Sequence, residues 1–182
     1  NPKPAHYAVK DAFAEDNAPA PGIVLRISAF SGNGGTLVIG DYDNFVDGWN
    51  EAMILASNPR VDRIIVDIYT DWEANDEGGF TKELWNGDGF KNDTIFVPAD
   101  AKVTLNLNGH TIDRGLTEDI DDGEVMFIND DADVIINDGT ITGGYSNSEG
   151  AGLYIEGASV TLNNVNITGN TVEDDDGAGI AA

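Results

Sequence analysis

The chain has 182 residues, and 41% of them are hydrophobic, which is typical of a globular protein. Its formal net charge of −24 disfavours nucleic acid and anionic membranes as partners, because both bind to basic surfaces. The absence of cysteine excludes disulfide scaffolds and thiolate metal sites. No apolar run approaches the ~18 residues of a membrane-spanning helix. Because the chain begins at Asn1 without a signal segment, we expect a mature or trimmed form.

The first 42 residues are predicted to contain a loosely held arm and a β-hairpin. Residues 1–22 are rich in proline and form the arm. Residues 23–30 and 36–39 are apolar enough for two strands, and the segment 31–35 between them has the composition of a hairpin loop. Its glycines match neither phosphate-binding pattern and no Lys follows them, so we interpret the segment as a turn.

Residues 44–57 predict an amphipathic helix. Its apolar face, at helical spacing, consists of Phe45, Trp49, Ala52, Met53 and Ala56. Asp43 or Asn44 can cap the start of the helix, and Pro59 prevents its continuation. A buried strand over residues 64–68 follows. We expect the helix to cover the N-terminal end of the core that the rest of the chain forms.

The second half of the chain repeats itself. Glycine-led apolar segments begin at Gly123, Gly150 and Gly177, which is a spacing of 27 residues. A second type of segment recurs at 101–106, 132–137 and 158–163. Each repeat contains short strand-like runs separated by corners rich in Asn, Asp and Gly. This pattern predicts parallel strands stacked one repeat above another, about 4.8 Å apart.

Equivalent positions of the repeats predict columns of like side chains inside the stack. The three aliphatic columns are Val103, Val134 and Val160; Leu105, Ile136 and Leu162; and Ile112, Ile141 and Ile167. A fourth column consists of Asn106, Asn137 and Asn163. We expect its amides to bond to one another along the stack and to satisfy backbone groups at a corner.

Residues 103–113, together with the repeats that follow, resemble the first full coil of right-handed parallel β-helix proteins, the pectate-lyase-like superfold. The version that they resemble is common in secreted and surface-anchored proteins of bacteria. The resemblance covers residues 43–182, because the preceding helix and strand are similar to the N-terminal cap of those domains. It implies an all-β right-handed parallel β-helix (solenoid) with an N-terminal capping helix and a small N-terminal strand region. It implies little about function, because this superfold serves lyases, hydrolases, adhesins and phage fibres.

Three segments follow from this interpretation. Residues 1–42 form the arm and hairpin, residues 43–92 the helical cap, first strand and insert loop, and residues 93–182 the coils. The segment 177–182 begins another coil without completing it. We therefore expect either further coils or a partner chain stacked on this end, because an open sheet edge is a template for strand pairing.

His110, Asp113 and Arg114 form the one cluster that contains a histidine, a carboxylate and a guanidinium. Acid–base chemistry is one interpretation of this cluster, and a corner turn between two strands is the interpretation that we favour. Pectate lyases of the superfold use an arginine base beside calcium-binding aspartates, and Arg114 is the only arginine after residue 63. The motifs of polygalacturonase-like hydrolases are missing apart from the fragment Asp121-Asp122. We assign no catalytic residue.

Acidic residues recur at one corner of the repeats. Asp122, Glu149 and Asp176 precede the recurring glycines, and Asp119 and Asp121 lie close to the first of them. Stacked carboxylates repel one another, and a calcium ion with oxygen ligands would relieve that repulsion. Calcium is therefore the candidate cofactor. Solvated turns are the alternative, which we favour.

The segment 73–92 carries aromatic residues among glycines. Trp85 in this segment and Trp72 just before it are candidates for stacking on a sugar ring. The alternative, which we favour for this loop, is that it covers the apolar end of the first coil.

The leading hypothesis for function is a non-enzymatic module, adhesive or stalk-like, in an extracellular or cell-surface protein. Carbohydrate and surface proteins are its candidate ligands, since repeat proteins present long binding surfaces. One alternative is the N-terminal part of a polysaccharide lyase or glycoside hydrolase. Another is a structural subunit that associates end to end through the open C-terminal coil.

Overall fold

The computed structural model describes residues 19–32, 35–74, 94–119, 123–147, 149–173 and 177–182. Strands dominate these residues, with one helix, α1 (Phe45–Ala56). The first seven strands are β1 (Leu25–Ser31), β2 (Gly35–Tyr42), β3 (Arg63–Ile68), β4 (Trp72–Glu73), β5 (Ile95–Val97), β6 (Lys102–Asn106) and β7 (Thr111–Asp113). The others are β8 (Met126–Ile128), β9 (Asp133–Thr142), β10 (Tyr145–Ser146), β11 (Leu153–Ile155), β12 (Ser159–Ile167), β13 (Thr171–Val172) and β14 (Ile180–Ala181).

The strands form three sheets. The largest has eight strands in the order β2-β1-β3-β6-β9-β7-β4, and β12 also pairs with β9. The second has the order β14-β11-β8-β5, and the third consists of β10 and β13. The core between the sheets is aliphatic and includes Ile64, Leu105, Ile136 and Leu153, all fully buried.

The predicted fold class, an all-β right-handed parallel β-helix (solenoid) with an N-terminal capping helix and a small N-terminal strand region, is wrong. β1 pairs antiparallel with β2 on one edge and antiparallel with β3 on the other. Because β3 also pairs in parallel with β6, the hairpin and the repeats belong to one continuous mixed sheet rather than to a single solenoid. The repeats could not reveal this arrangement, because β1, β2 and β3 all precede the first repeat.

The predicted columns are confirmed by the strand register. Val134 lies opposite Val103 in β6 and opposite Val160 in β12, with parallel pairing on both sides. The column that contains Ile112 and Ile141 is likewise in register with β12. Val103 and Val134 are buried, whereas Val160 is partly buried. The recurring segments 101–106, 132–137 and 158–163 therefore predicted the pairing correctly, although they did not predict the complete sheet.

The asparagine column also forms as predicted. The side-chain amide of Asn163 donates to Oδ1 of Asn137, and that of Asn137 donates to Oδ1 of Asn106, both at 2.8 Å. Asn106 in turn donates to Asp67 of β3 at 2.8 Å, so the ladder extends one strand further than the sequence indicated. It runs beside a corner at which Asn108, Asp138 and Asn164 have left-handed φ values of 53°, 53° and 54°. Asn and Asp tolerate this backbone conformation better than other side chains do.

Helix α1 begins where its capping residue predicts. The side chain of Asn44 accepts a hydrogen bond from the backbone N–H of Asp47 at 3.0 Å, which satisfies one of the free donors of the first turn. Trp49 is 1% exposed, and its Nε1 donates to the backbone oxygen of Phe96 at 3.1 Å. The helix therefore packs on β1 and β3 and is anchored to β5.

Truncation of Trp49 tests whether this helix stabilises the core. We expect Trp49→Ala to lower the free energy of unfolding by about 3–5 kcal/mol, because the change leaves a large cavity and removes the hydrogen bond to Phe96. Chemical denaturation measures the loss. Ile54→Ala on the same helix is the control, since Ile54 is 47% exposed and should lose no more than about 0.5 kcal/mol. Equal losses for the two variants would contradict the prediction.

The asparagine ladder makes a second prediction for stability. Asn137→Ala removes one donated and one accepted hydrogen bond, so we expect a loss of about 1–3 kcal/mol in the free energy of unfolding. Asn163→Ala removes one donated ladder bond and should cost less. The two variants are compared by chemical denaturation under identical conditions. A loss in Asn163→Ala as large as that in Asn137→Ala would mean that the ladder does not act as described.

Candidate functional site

The predicted cluster of His110, Asp113 and Arg114 is not assembled into one site. The Nδ1 atom of His110 lies 3.2 Å from Oδ1 of Asp71, in the segment between β3 and β4. The same Asp71 oxygen accepts the backbone N–H of Thr111 at 2.9 Å. The Asp71 side chain is 74% exposed. This surface pair therefore ties two neighbouring strands together at a corner.

Asp113 and Arg114 lie on opposite sides of the chain, as neighbours at a strand end do. Oδ1 of Asp113 accepts the backbone N–H of Gly115 at 2.8 Å, which closes a local turn. Arg114 is 3% exposed, and its guanidinium donates to Oγ1 of Thr94 at 2.7 Å and to the backbone oxygen of Glu124. Arg114 therefore links the segments that lead into β5 and β8. The corner interpretation of the cluster agrees with these contacts.

The predicted calcium ligands are only partly described. Asp119 and Glu149 belong to the described residues, whereas Asp121, Asp122 and Asp176 lie outside them. Within the described ranges, no group of three or more His, Asp or Glu side chains is arranged to hold a metal ion. Calcium binding at this corner stays a prediction.

The predicted stacking residue Trp72 packs against the helix. It is half-buried in β4, opposite Ile112 of β7, and its ring centroid lies 4.6 Å from that of Phe45 with 23° between the planes. At least one ring face is therefore covered by the protein itself. Trp85, the other candidate, lies outside the described residues. A role for either residue in ligand binding stays a prediction.

An aromatic row was missed at the sequence level. The ring centroids of Phe96 and Phe127 are 5.8 Å apart, and those of Phe127 and Tyr154 are 5.2 Å apart. These residues are the central positions of β5, β8 and β11, which pair in parallel. Phe127 and Tyr154 are separated by the 27-residue spacing, so the repeat alignment contained the signal.

The strands β12, β13 and β14 form what we call the end surface. Among the described residues, each of these strands pairs with a neighbour on one side only, namely β9, β10 and β11. The apolar columns that are buried inside the stack end at this surface, where their last side chains are partly exposed. Ile180 is 41% exposed, although Leu153, directly opposite it in β11, is fully buried.

The same change occurs along β12. Its inward side chains Val160, Leu162, Val165 and Ile167 are partly buried. Their partners in β9 with large side chains are Val134, Ile136 and Ile141, which are at most 1% exposed. A further strand beside β12 would therefore bury apolar surface and satisfy edge backbone groups together.

The end surface also differs from the rest of the chain in charge. Residues 157–172 include no charged side chain, although the chain as a whole carries −24. Exposed sheet edges in natural proteins are usually blocked by lysine, proline or an inward-pointing charge. β12 contains none of these. This edge is therefore chemically open to pairing.

Comparison with protein-family models, curated proteins and solved structures finds no match to this chain. The resemblance to pectate-lyase-like proteins accordingly stays a prediction. None of the helices in the described part of the chain could cross a membrane, since α1 has only 12 residues.

The contacts of Asp71 predict its titration. The backbone N–H of Thr111, and secondly the side chain of His110, lower the pKa of Asp71 below its ordinary value of 3.8. Since the pKa of Asp71 is lower in the folded than in the unfolded protein, the ionised carboxylate stabilises the fold, and this stabilisation is complete above the unfolded pKa. It is lost as the pH falls from about 4 through the folded pKa. NMR titration of the Asp71 carboxyl carbon should give a midpoint below 3.8.

His110→Ala separates the two causes. Because the Thr111 contact is the larger one, the midpoint should rise but remain below 3.8. A midpoint unchanged by His110→Ala would mean that His110 does not contact Asp71 in solution.

Proposed function

We propose that this chain is a non-enzymatic binding module, adhesive or stalk-like, that holds a protein partner by strand addition at the end surface. The observation that carries the proposal is the emergence of the apolar columns along β12 and β14. Strand addition gives affinity through main-chain hydrogen bonds and specificity through alternate side chains. An extracellular or cell-surface location is part of the proposal, and it is supported by the sequence resemblance of residues 103–113 alone.

A protein partner is better supported than a carbohydrate. Sugar rings stack on exposed aromatic faces, and the ring of Trp72 is stacked on Phe45. By contrast, β12 offers a long edge of nine residues with alternating side chains. The enzymatic alternative also has weaker support, because its cationic candidate Arg114 is buried and bonded to Thr94 and Glu124.

A labelled peptide tests the proposal. The probe is a fluorescent peptide with the sequence of residues 132–142, which already pairs with β12 from the inner side. We expect saturable binding to the 182-residue chain by fluorescence anisotropy. The same peptide with proline at the positions of Val134 and Ile136 should not bind, since proline cannot donate to a ladder. Absence of saturable binding by the unmodified peptide would overturn the proposal.

Two matched variants of the chain locate the binding surface. Leu162→Lys places a charge in an emerging apolar column and should weaken binding at least about tenfold, because a buried unpaired ammonium is unfavourable. Thr161→Lys adds the same charge at the next residue, which is exposed on the outer face of β12. It should leave binding nearly unchanged. Circular dichroism establishes that both variants fold, and equal weakening by both would place the peptide elsewhere.

A further inference from the structure

We infer that the partner at the end surface is a second copy of this chain, whose β12 pairs antiparallel with the first β12 about a two-fold axis between Asn163 and Asn164. The inference rests on the proposed function, because it names the protein that adds the strand. It depends on four observations: the symmetry of the side-chain pattern in β12, the position of its bend, the end of the asparagine ladder, and the distribution of charge.

The pattern of β12 is self-complementary about Asn163 and Asn164. In the antiparallel register that places these two residues opposite each other, the apolar pairs are Leu162 with Val165 and Val160 with Ile167. The polar pair between them is Thr161 with Asn166. Inward residues thus meet inward residues and outward residues meet outward residues. A shift of one residue opposes apolar and polar side chains throughout, which register in a half-buried sheet does not tolerate.

The bend in the strand favours the same axis. Asn164 has a left-handed φ of 54°, so β12 turns a corner at the centre of the pattern. A two-fold axis at this corner places bend against bend. Any distant register would place a bend against a straight segment and interrupt the hydrogen-bond ladder.

The asparagine ladder ends at the same point. Asn163 donates to Asn137 at 2.8 Å, and Asn164 donates to Oδ1 of Asp138 at 3.0 Å. A primary amide has two N–H groups and a carbonyl oxygen with two lone pairs, so each of these side chains keeps bonding capacity. Across the proposed axis, Asn163 of one copy meets Asn164 of the other. The ladder then continues through the dimer as amide–amide pairs.

Charge affects the proposed contact in two ways: the paired strands themselves are uncharged, whereas the two whole chains repel each other. Residues 157–172 carry no charge, so no like charges meet within the paired strands. The two chains nevertheless each carry −24, and they repel each other beyond the contact. Salt screens that repulsion. Self-pairing should therefore tighten as sodium chloride is added, whereas pairing with a basic protein would weaken.

The competing occupant of the end surface is strand β2 of another copy. β2 is another edge strand of the large sheet and exposes Leu37 and Val38, both at 45%. Pairing of β12 with β2 is heterologous and would generate open filaments, whereas pairing of β12 with β12 closes at a dimer. The size of the assembly therefore separates the two arrangements.

Analytical ultracentrifugation of the 182-residue chain tests the inference. We expect a concentration-dependent monomer–dimer equilibrium without larger species and with tighter association at higher sodium chloride concentration. Leu162→Lys should weaken the dimer at least about tenfold for the reason given above. Ile54→Lys, which adds the same charge at an exposed position of helix α1 away from the contact, should leave the dimer formed. A strictly monomeric chain or a growing filament would overturn the inference. A monomer that still binds the 132–142 peptide would leave the proposed function intact.

Cysteine pairing tests the register directly. The chain has no cysteine, so Thr161→Cys and Asn166→Cys each introduce a single thiol. When the two variants are mixed and oxidised, we expect mainly the mixed disulfide dimer, because these positions lie opposite each other. Each variant alone should cross-link poorly, because the five-residue offset separates like positions by about 16 Å along a strand, beyond disulfide reach. Equal cross-linking in the separate variants would overturn the antiparallel register.

Discussion

The in-register pairing of β9 is the constraint on which the stack depends. On one edge, β9 pairs with β6 along its first half and with β7 along its second half. On the other edge, it pairs with β12 along both halves. Since side chains alternate across a strand, a slip of one residue would expose Val134, Ile136 and Ile141 together. The burial of these residues therefore fixes the register for all four strands. The corner at Asp138, between the two halves, directs the chain from one face of the core to the next.

A polar row joins this parallel stack to the antiparallel hairpin. Arg26 of β1 forms two hydrogen bonds with Asp41 of β2, at 2.6 and 3.1 Å. It also lies opposite Asp67 of β3, which accepts the first amide of the asparagine ladder. Polar side chains thus extend from the charged pair on β1 and β2 to Asn163 of β12, and hydrogen bonds join them from Asp67 to Asn163. The row passes through both parts of the mixed sheet, because paired residues lie on the same face of a sheet in parallel and in antiparallel pairing.

The β2 and β12 edges of the large sheet have different chemistry. β2 carries an ion pair through Asp41, whereas β12 carries only apolar and uncharged polar side chains. The strong negative charge of the chain keeps most of its surface from self-contact, since like charges repel. An uncharged strand with partly exposed aliphatic columns is therefore the place where another strand can add at the lowest electrostatic cost. The proposed function is derived from this contrast rather than from any catalytic grouping.

The sequence by itself determined the local elements and their pairing. The spacing of Phe45, Trp49 and Met53 specified the helix. The recurrence of like segments at 101–106, 132–137 and 158–163 specified which valines and asparagines would stack. Only the tertiary structure decided that the hairpin joins the same sheet, that Arg114 is buried while Asp113 closes a local turn, and that Asp67 ends the ladder. These contacts involve residues outside the recurring segments, so no sequence pattern predicts them. Whether a strand edge is paired or exposed depends on which other strand lies beside it in the folded chain.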